Sequence, residues 1–239
     1  MGNKAKKFWN FKAMDDKTGE LTLYGEISDV TWWGDEITPK QFKEDLDALG
    51  DIDTLNVYIN SPGGDVFAGQ TIYSMLKRHK AQVNVYIDGL AASIASLIAM
   101  AGDKVIMPEN AMMMIHNPWT CACGNANDFR KLADDLDKIR DSMIVAYKNK
   151  SGLSDDEIKD IMDAETWLSA QDCLDKGFAD EIEEAKEVAA CVDEKYFGRY
   201  KNVPENLKEP PKEPPGQAKE VRDSEKELRK RKILLELEL

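Results

Sequence analysis

Histidine is the scarcest versatile side chain here: 239 residues hold only His79 and His116. Any reaction that runs through an imidazole must use one of these two positions. Cysteine is nearly as sparse. Cys121, Cys123, Cys173 and Cys191 show neither the spacing of a zinc site nor the density of a disulfide scaffold, so no metal and no cofactor is expected, and a reducing, cytoplasmic setting is. Long apolar runs are missing too. The most apolar stretch, Leu90 to Ala101, is about a dozen residues and contains Ser93 and Ser96, against the roughly 20 that span a bilayer. The basic start, Met1-Gly-Asn-Lys-Ala-Lys-Lys7, lacks the apolar stretch of a secretory signal. Basic residues number 32 against 45 acidic ones, a net charge of −13. That balance argues against general binding to nucleic acid or to an anionic membrane.

What is present alternates between strand and helix signals. Residues 1–19 read as a flexible lead-in, followed by the alternating segment Glu20 to Ile27, a strand. Thr38-Pro39 with Phe42, Leu46 and Leu49 predicts a capped helix. Thr54 to Ile59 predicts a second strand, stopped by Asn60-Ser-Pro-Gly-Gly64, and apolar residues at helical spacing follow from Ala68 to Leu76. Val83 to Ile87 predicts a third strand, and a small-residue helix is expected to begin near Ala91. Two short strands, Val105 to Met107 and Met112 to Ile115, precede a long helix from Asn125 to about Lys150. This order is that of a parallel α/β sheet with functional loops at the strand C-termini. On the long helix Phe129, Leu132, Leu136, Ile139, Met143 and Ala146 step by three and four, a narrow seam that suits a subunit interface or simply covers its own domain. Five prolines between Pro204 and Pro215 predict an extended charged linker over 196–216, and 217–239 reads as a charged helical tail, leaving a compact domain at 20–195.

Three short motifs carry the chemistry. In Gly89-Leu-Ala-Ala-Ser93-Ile-Ala-Ser96, Ser93 falls where a strand ends and a helix begins, between the small residues Ala91 and Ala95. A nucleophile on a sharp strand-to-helix turn needs such neighbours, and the start of a helix has free N–H groups for a developing oxyanion; small Ser/Ala helices also serve as plain packing devices. Gly63 and Gly64 allow close backbone approach to a ligand, or a simple surface turn. His116 directly follows an apolar strand, whereas His79 lies at a basic helix C-terminus. If either histidine is a general base, it is His116.

Taken together, Tyr58-Ile-Asn-Ser-Pro-Gly-Gly64, Gly89-x-Ala-Ala-Ser93, Met114-Ile-His116-Asn-Pro118, Trp167-Leu-Ser-Ala170 and Gly177-Phe-Ala-Asp180-Glu-Ile182 resemble, in order and spacing, the Clp-type serine peptidase family. The resemblance covers about residues 20–183. It implies an α/β, ClpP/crotonase-like spiral of β-β-α units with a long protruding helix. It implies Ser93 as nucleophile, His116 as base, and the backbone N–H groups of Gly64 and Ile94 as oxyanion donors. Substrate would lie as an added strand beside Gly63, Asp65 and Val66 and along Asn117 to Trp119. The family usually has Asp where this chain has Glu165, with Asp163 and Asp160 as nearby competitors for the third role. It also implies stacked homo-oligomeric rings and protein or peptide substrates.

Thr31-Trp-Trp-Gly34, Pro62 to Gly69, Glu165-Thr-Trp-Leu168 and the charged C-terminal extension look most like the Clp-related head maturation proteases of tailed phages and prophages, which process capsid-associated proteins. Three alternatives stand beside that reading. One is a housekeeping proteolytic subunit that works with an ATPase unfoldase. Another is a catalytically silent scaffold of the same fold. The third is a crotonase-like acyl-CoA enzyme, which would not need Ser93 and His116 in register and for whose phosphates the sequence offers no basic cluster.

Overall fold

Alternating burial builds the sheet. In β3, Thr54–Ser61, each second residue (Leu55, Val57, Ile59, Ser61) is buried and the intervening ones are half exposed, the period-two pattern of a strand. β2, Thr18–Tyr24, alternates in the same way. β4, Gln82–Ala92, alternates as far as Gly89, and its last residues, through Ala91 and Ala92, are buried on both sides. The computed structural model describes residues 7–28, 39–185 and 198–208, all within a unit that ends at Lys208.

Among the described residues the sheet has eight strands. A hairpin of β1 (Trp9–Ala13) antiparallel to β2 forms one edge, and β2, β3, β4 and β5 (Lys104–Pro108) continue in parallel. β8, Glu181–Glu183, adds to β5. The feature that shapes the site is a fork. The beginning of β4 (Asn84–Tyr86) pairs with β5, whereas its end (Leu90–Ala92) pairs in parallel with β6, Met112–Ile115. β6 in turn pairs antiparallel with β7, Thr166–Ser169. Helices α1 (Pro39–Asp47) and α2 (Val66–Lys77) follow β2 and β3, and α3 (Ile94–Ala99) follows β4 with all its residues buried. The long α4 (Ala126–Ser151) opens with a capping box between Asn125 and Asp128 and ends at Gly152 with φ 75°, a start signal and a stop signal respectively. α5 (Asp155–Asp163) and α6 (Ala170–Asp175) flank β7.

This is the α/β architecture that the resemblance implies. Its core strands and helices fall where the sequence reading puts them, with β4 running on to Ala92, so that α3 starts at Ile94 rather than near Ala91. Two expectations need correction. Residues 1–19 are not simply a lead-in: β1 lies within them, Phe8 and Trp9 are buried, and Trp9 stacks edge-on against Phe42 while its Nε1 donates to Asp45 at 2.8 Å. Nor does the compact domain stop at 195. Tyr200, Val203 and Leu207 are buried against Leu90, Ala92 and Met114, and a turn of helix forms at Glu205–Lys208. The remainder of the expected linker, the tail at 217–239, the Thr31–Gly34 motif and the Thr38 cap lie outside the described residues.

α4 uses only part of its seam within one chain. Met143, Ile144, Ala146 and Tyr147 are buried, whereas Phe129 near the other end is 49% exposed.

If β1 is part of the core, Trp9→Ala must behave as a large-to-small core substitution. The expected loss is about 3 kcal/mol or more, read as a lower urea midpoint with an unchanged slope; a change under ~0.5 kcal/mol would mean that the hairpin contributes nothing to stability.

Candidate active site

Strand register alone assembles three of the residues singled out in the sequence. Ala92 pairs with Met114 and Ile115 pairs with Thr166. Ser93 therefore comes directly after β4, His116 directly after β6 and Glu165 directly before β7, at the ends of three neighbouring strands. The Ser93 N–H extends this ladder by donating to the Met114 carbonyl at 2.8 Å. Across the gap the Ser93 Oγ and His116 Nε2 are 2.7 Å apart, a short hydrogen bond.

Backbone conformation marks the same spot. Among the described residues only Ser93 (φ 55°) and Glu165 (φ 48°) are non-glycine residues with positive φ. Such conformations cost of order 1–3 kcal/mol each and persist where surrounding structure fixes them. At Ser93 the turn between β4 and α3 lifts the hydroxyl out of the sheet end, and Ile94, as the first helical residue, has an N–H without an intrahelical acceptor.

The loop after β3 comes up against this turn. Gly63 has φ 90°, and a Cβ there would sit 2.6 Å from the Ser93 Cβ and 2.7 Å from the Ala92 carbonyl oxygen. Gly64 has φ 148°, and a Cβ there would meet the Ile27 carbonyl oxygen at 1.9 Å. Only glycine fits either position. An isolated bridge to Ile27 uses the Gly63 carbonyl and the Asp65 N–H, both at 2.8 Å, and so leaves the Gly64 N–H out of its ladder. Asp65 then caps α2 by accepting from Ala68 at 2.7 Å.

Ser93, His116, Gly64, Asp65, Val66, Asn117 and Trp119 border one cleft of about 380 Å3. Trp119 is 53% exposed. The Asn117 amide donates to Asp163 at 2.6 Å, and its Oδ1 is buried without a donor among the described residues. Asp163 is thus engaged away from the imidazole, and Asp160 lies exposed on α5. Glu165, 8% exposed, is the buried carboxylate of the three.

His116 is also 8% exposed. Burial pushes its pKa below the ordinary imidazole value of 6.5; the Glu165 carboxylate pulls the other way, and the Lys201 ammonium adds to the lowering. A ring in this balance is neutral near pH 7 and able to accept a proton. Glu165 acts on it through charge. Among the described residues the carboxylate has no hydrogen bond to the imidazole, and its Oε1 instead accepts from the main-chain N–H groups of Lys201 and Asn202, each at 2.7 Å. His79, at the end of α2, accepts at Nδ1 from Ala81 and stands apart from this cluster.

The segment supplying those donors was missed in the sequence reading. Tyr200 sets its ring edge-on to both His116 (5.8 Å between centroids) and Trp167 (5.7 Å), and its hydroxyl donates to the Pro62 carbonyl. Tyr200, Val203 and Leu207 are apolar positions three and four apart within a polar stretch, which was the available signal. Among the described residues no group of three or more His, Cys, Asp or Glu side chains is placed to hold a metal ion, and no helix is long and apolar enough to cross a membrane.

The pairing of a strained serine with a buried neutral imidazole, beside N–H groups for which no acceptor stands among the described residues, is chemistry for attack on a carbonyl carbon. The family model described as Clp protease matches residues 36–186, and the chain belongs to that family of serine-type peptidases. Among curated proteins it is 33% identical, over 140 residues, to an "ATP-dependent Clp protease proteolytic subunit" of Bacteroides fragilis (strain ATCC 25285); the match covers 57% of this chain and 67% of that protein. The protein of the same description from Bacteroides fragilis strain YCH46 is likewise 33% identical, with 57% of this chain and 63% of the relative covered. The chain thus spans about two thirds of the length of these relatives.

The electrostatics at His116 fix the sign of a pH effect. The rate of Ser93 modification should rise as the imidazole loses its proton, with a midpoint below 6.5, because burial disfavours the imidazolium. Glu165→Gln removes the charge that favours the imidazolium, so the midpoint should move lower still, with the plateau reduced ~10-fold or more. The measurement is the second-order rate of serine-directed labelling from pH 4.5 to 8.5, and a midpoint above 7 in the unaltered protein contradicts the assignment.

Proposed function

We propose that this chain is a serine endopeptidase, with Ser93 as nucleophile, His116 as general base and acid, and Glu165 as the carboxylate that favours the imidazolium. The observation that carries this reading is the 2.7 Å hydrogen bond between the Ser93 Oγ and the His116 Nε2, made by a serine held at positive φ in a cleft. As Oγ attacks the scissile carbonyl carbon, its proton passes to the His116 Nε2. The oxyanion that forms is met by the N–H groups of Gly64 and Ile94. Collapse breaks the C–N bond, the imidazolium protonates the leaving amine, and an acyl-serine remains. Water then repeats the sequence: His116 takes its proton, the carboxylic acid product leaves, and Ser93 regains its hydrogen. No cofactor or metal takes part in this scheme.

The substrate lies extended between Gly63–Val66 on one side and Asn117–Trp119 on the other. Backbone hydrogen bonding of that kind gives affinity without fixing side chains. The exposed N-terminal half of α4, with Phe129 and Leu132, suits contact with a second copy of the chain, in keeping with ring assembly in the cytoplasm. For the biological role we favour processing of capsid-associated proteins during phage head maturation, on the motif combination around Pro62–Gly69 and Glu165–Leu168 and the charged extension. The names of the curated relatives favour the alternative, a proteolytic subunit that receives substrates from an ATPase unfoldase.

A fluorophosphonate probe tests the chemistry. Labelling at Ser93 that disappears in Ser93→Ala and falls at least tenfold in His116→Ala is the expected result; absence of labelling between pH 5 and 9 sinks the peptidase reading. Co-expression with a phage capsid protein then separates the roles. Discrete cleavage that requires Ser93 supports head maturation, and degradation only when an unfoldase and ATP are supplied supports the alternative.

A further inference from the structure

We infer that residues 199–202 form a strap that completes the site, with Lys201 and Asn202 acting as positioning residues through their main-chain N–H groups. The inference rests on the reading of Ser93 as nucleophile. It begins with a difficulty at Glu165. A carboxylate that is 8% exposed on a residue with φ 48° needs hydrogen-bond donors in place of the water it has lost. Among the described residues, the only donors to the Glu165 carboxylate are Lys201 N and Asn202 N, both at 2.7 Å to the same oxygen. Bonds of this type, to a charged acceptor, are about twice as strong as neutral ones. They hold the carboxylate where its charge reaches His116, although it makes no hydrogen bond to the ring.

The strap is itself fastened at several points around the site. The Tyr200 ring lies between His116 and Trp167, and its hydroxyl bonds to Pro62, just before Gly63, which packs against Ser93. The Asn202 side chain donates to the Ala164 carbonyl at 3.0 Å, and Arg199 pairs with Glu26 at 2.5 Å. Arg199 and Tyr200 border the cleft that holds Ser93. Residues 199–202 themselves lie beyond residue 186, where the family match ends. The strap is therefore an addition to the matched domain, and it ties the strand ends that carry His116 and Glu165 to the loop that carries Gly63 and Gly64.

The test uses full-length protein. Asn202→Pro removes one N–H donor, whereas Asn202→Ala keeps it. The proline variant should label Ser93 about tenfold more slowly than the alanine variant, with peptide KM within twofold, since the alanine variant loses only the side-chain bond to Ala164. In a Glu165→Ala background the added cost of Asn202→Pro should shrink below twofold, since the strap then has no carboxylate to hold. If the proline variant melts well below the parent, Tyr200→Phe carries the same cycle, because it keeps the ring but frees the strap from Pro62. The inference is overturned if the proline and alanine variants label alike, or if the loss is as large without Glu165. Unlabelled parent protein would instead sink the peptidase reading itself.

Discussion

Strand β4 has more residues than its neighbours on one edge can pair with, and the site depends on how that mismatch is resolved. β5 takes the first half of β4 and β6 takes the last three residues. On the opposite edge the register with β3 slips between Ile59 and Ser61, so that Ser61 comes level with Ala91 rather than with Gly89. The fork and the slip together bring three chain segments to the end of β4: the loop after β3, the residue after β6 and the residue before β7. Each is fixed by ladder hydrogen bonds only one or two residues away. Sites held by strand ends are more precise than sites on free loops, and a 2.7 Å contact between Ser93 and His116 is a consequence of that stiffness.

Tight geometry of this kind has a local cost that only particular residues tolerate. Gly63 and Gly64 have no side chain because the Ser93 turn and the Ile27 carbonyl occupy the space. The small residues Ala91 and Ala92 are buried on both sides of the strand that leads to the turn. Ser93 and Glu165 alone among the described residues hold positive φ while keeping a functional side chain. Where conformational strain and chemically active side chains coincide at two separate positions, in neighbouring clefts that both border His116, the coincidence is itself an argument for function.

Much of this was legible in the residues. Alternation identified β2, short apolar segments marked β3, β4 and β6, the scarcity of histidine singled out His116, and the small neighbours of Ser93 pointed to a sharp turn. The errors have a common physical origin. Both ends of the domain were drawn from composition, and composition is dominated by charge and proline there. The aromatic residues Phe8 and Trp9 in a basic segment, and Tyr200, Val203 and Leu207 in a polar one, were the buried minority that decided the outcome. Burial of a few large side chains outweighs the solvation preference of their neighbours. The positive φ at Glu165 had no signature at all, since it follows from the turn between α5 and β7 and not from a glycine.

In the proposed mechanism, the placement of Glu165 also bears on why the third position could be a glutamate. A carboxylate that had to hydrogen-bond the imidazole directly would be sensitive to one extra methylene. Here the carboxylate is fastened to the backbone of Lys201 and Asn202, and it influences His116 through space. Coulombic interaction falls off gradually with distance, unlike the steep angular dependence of a hydrogen bond. The Lys201 ammonium works against it on the same ring, so one short segment delivers both the anchor for the carboxylate and the charge that opposes its effect. In the proposed mechanism the imidazole is thereby kept neutral at rest, yet with an anion at hand for the moment at which it would become an imidazolium. That asymmetry between the two protonation states, rather than a direct contact, is what the chain's own departure from the family pattern preserves.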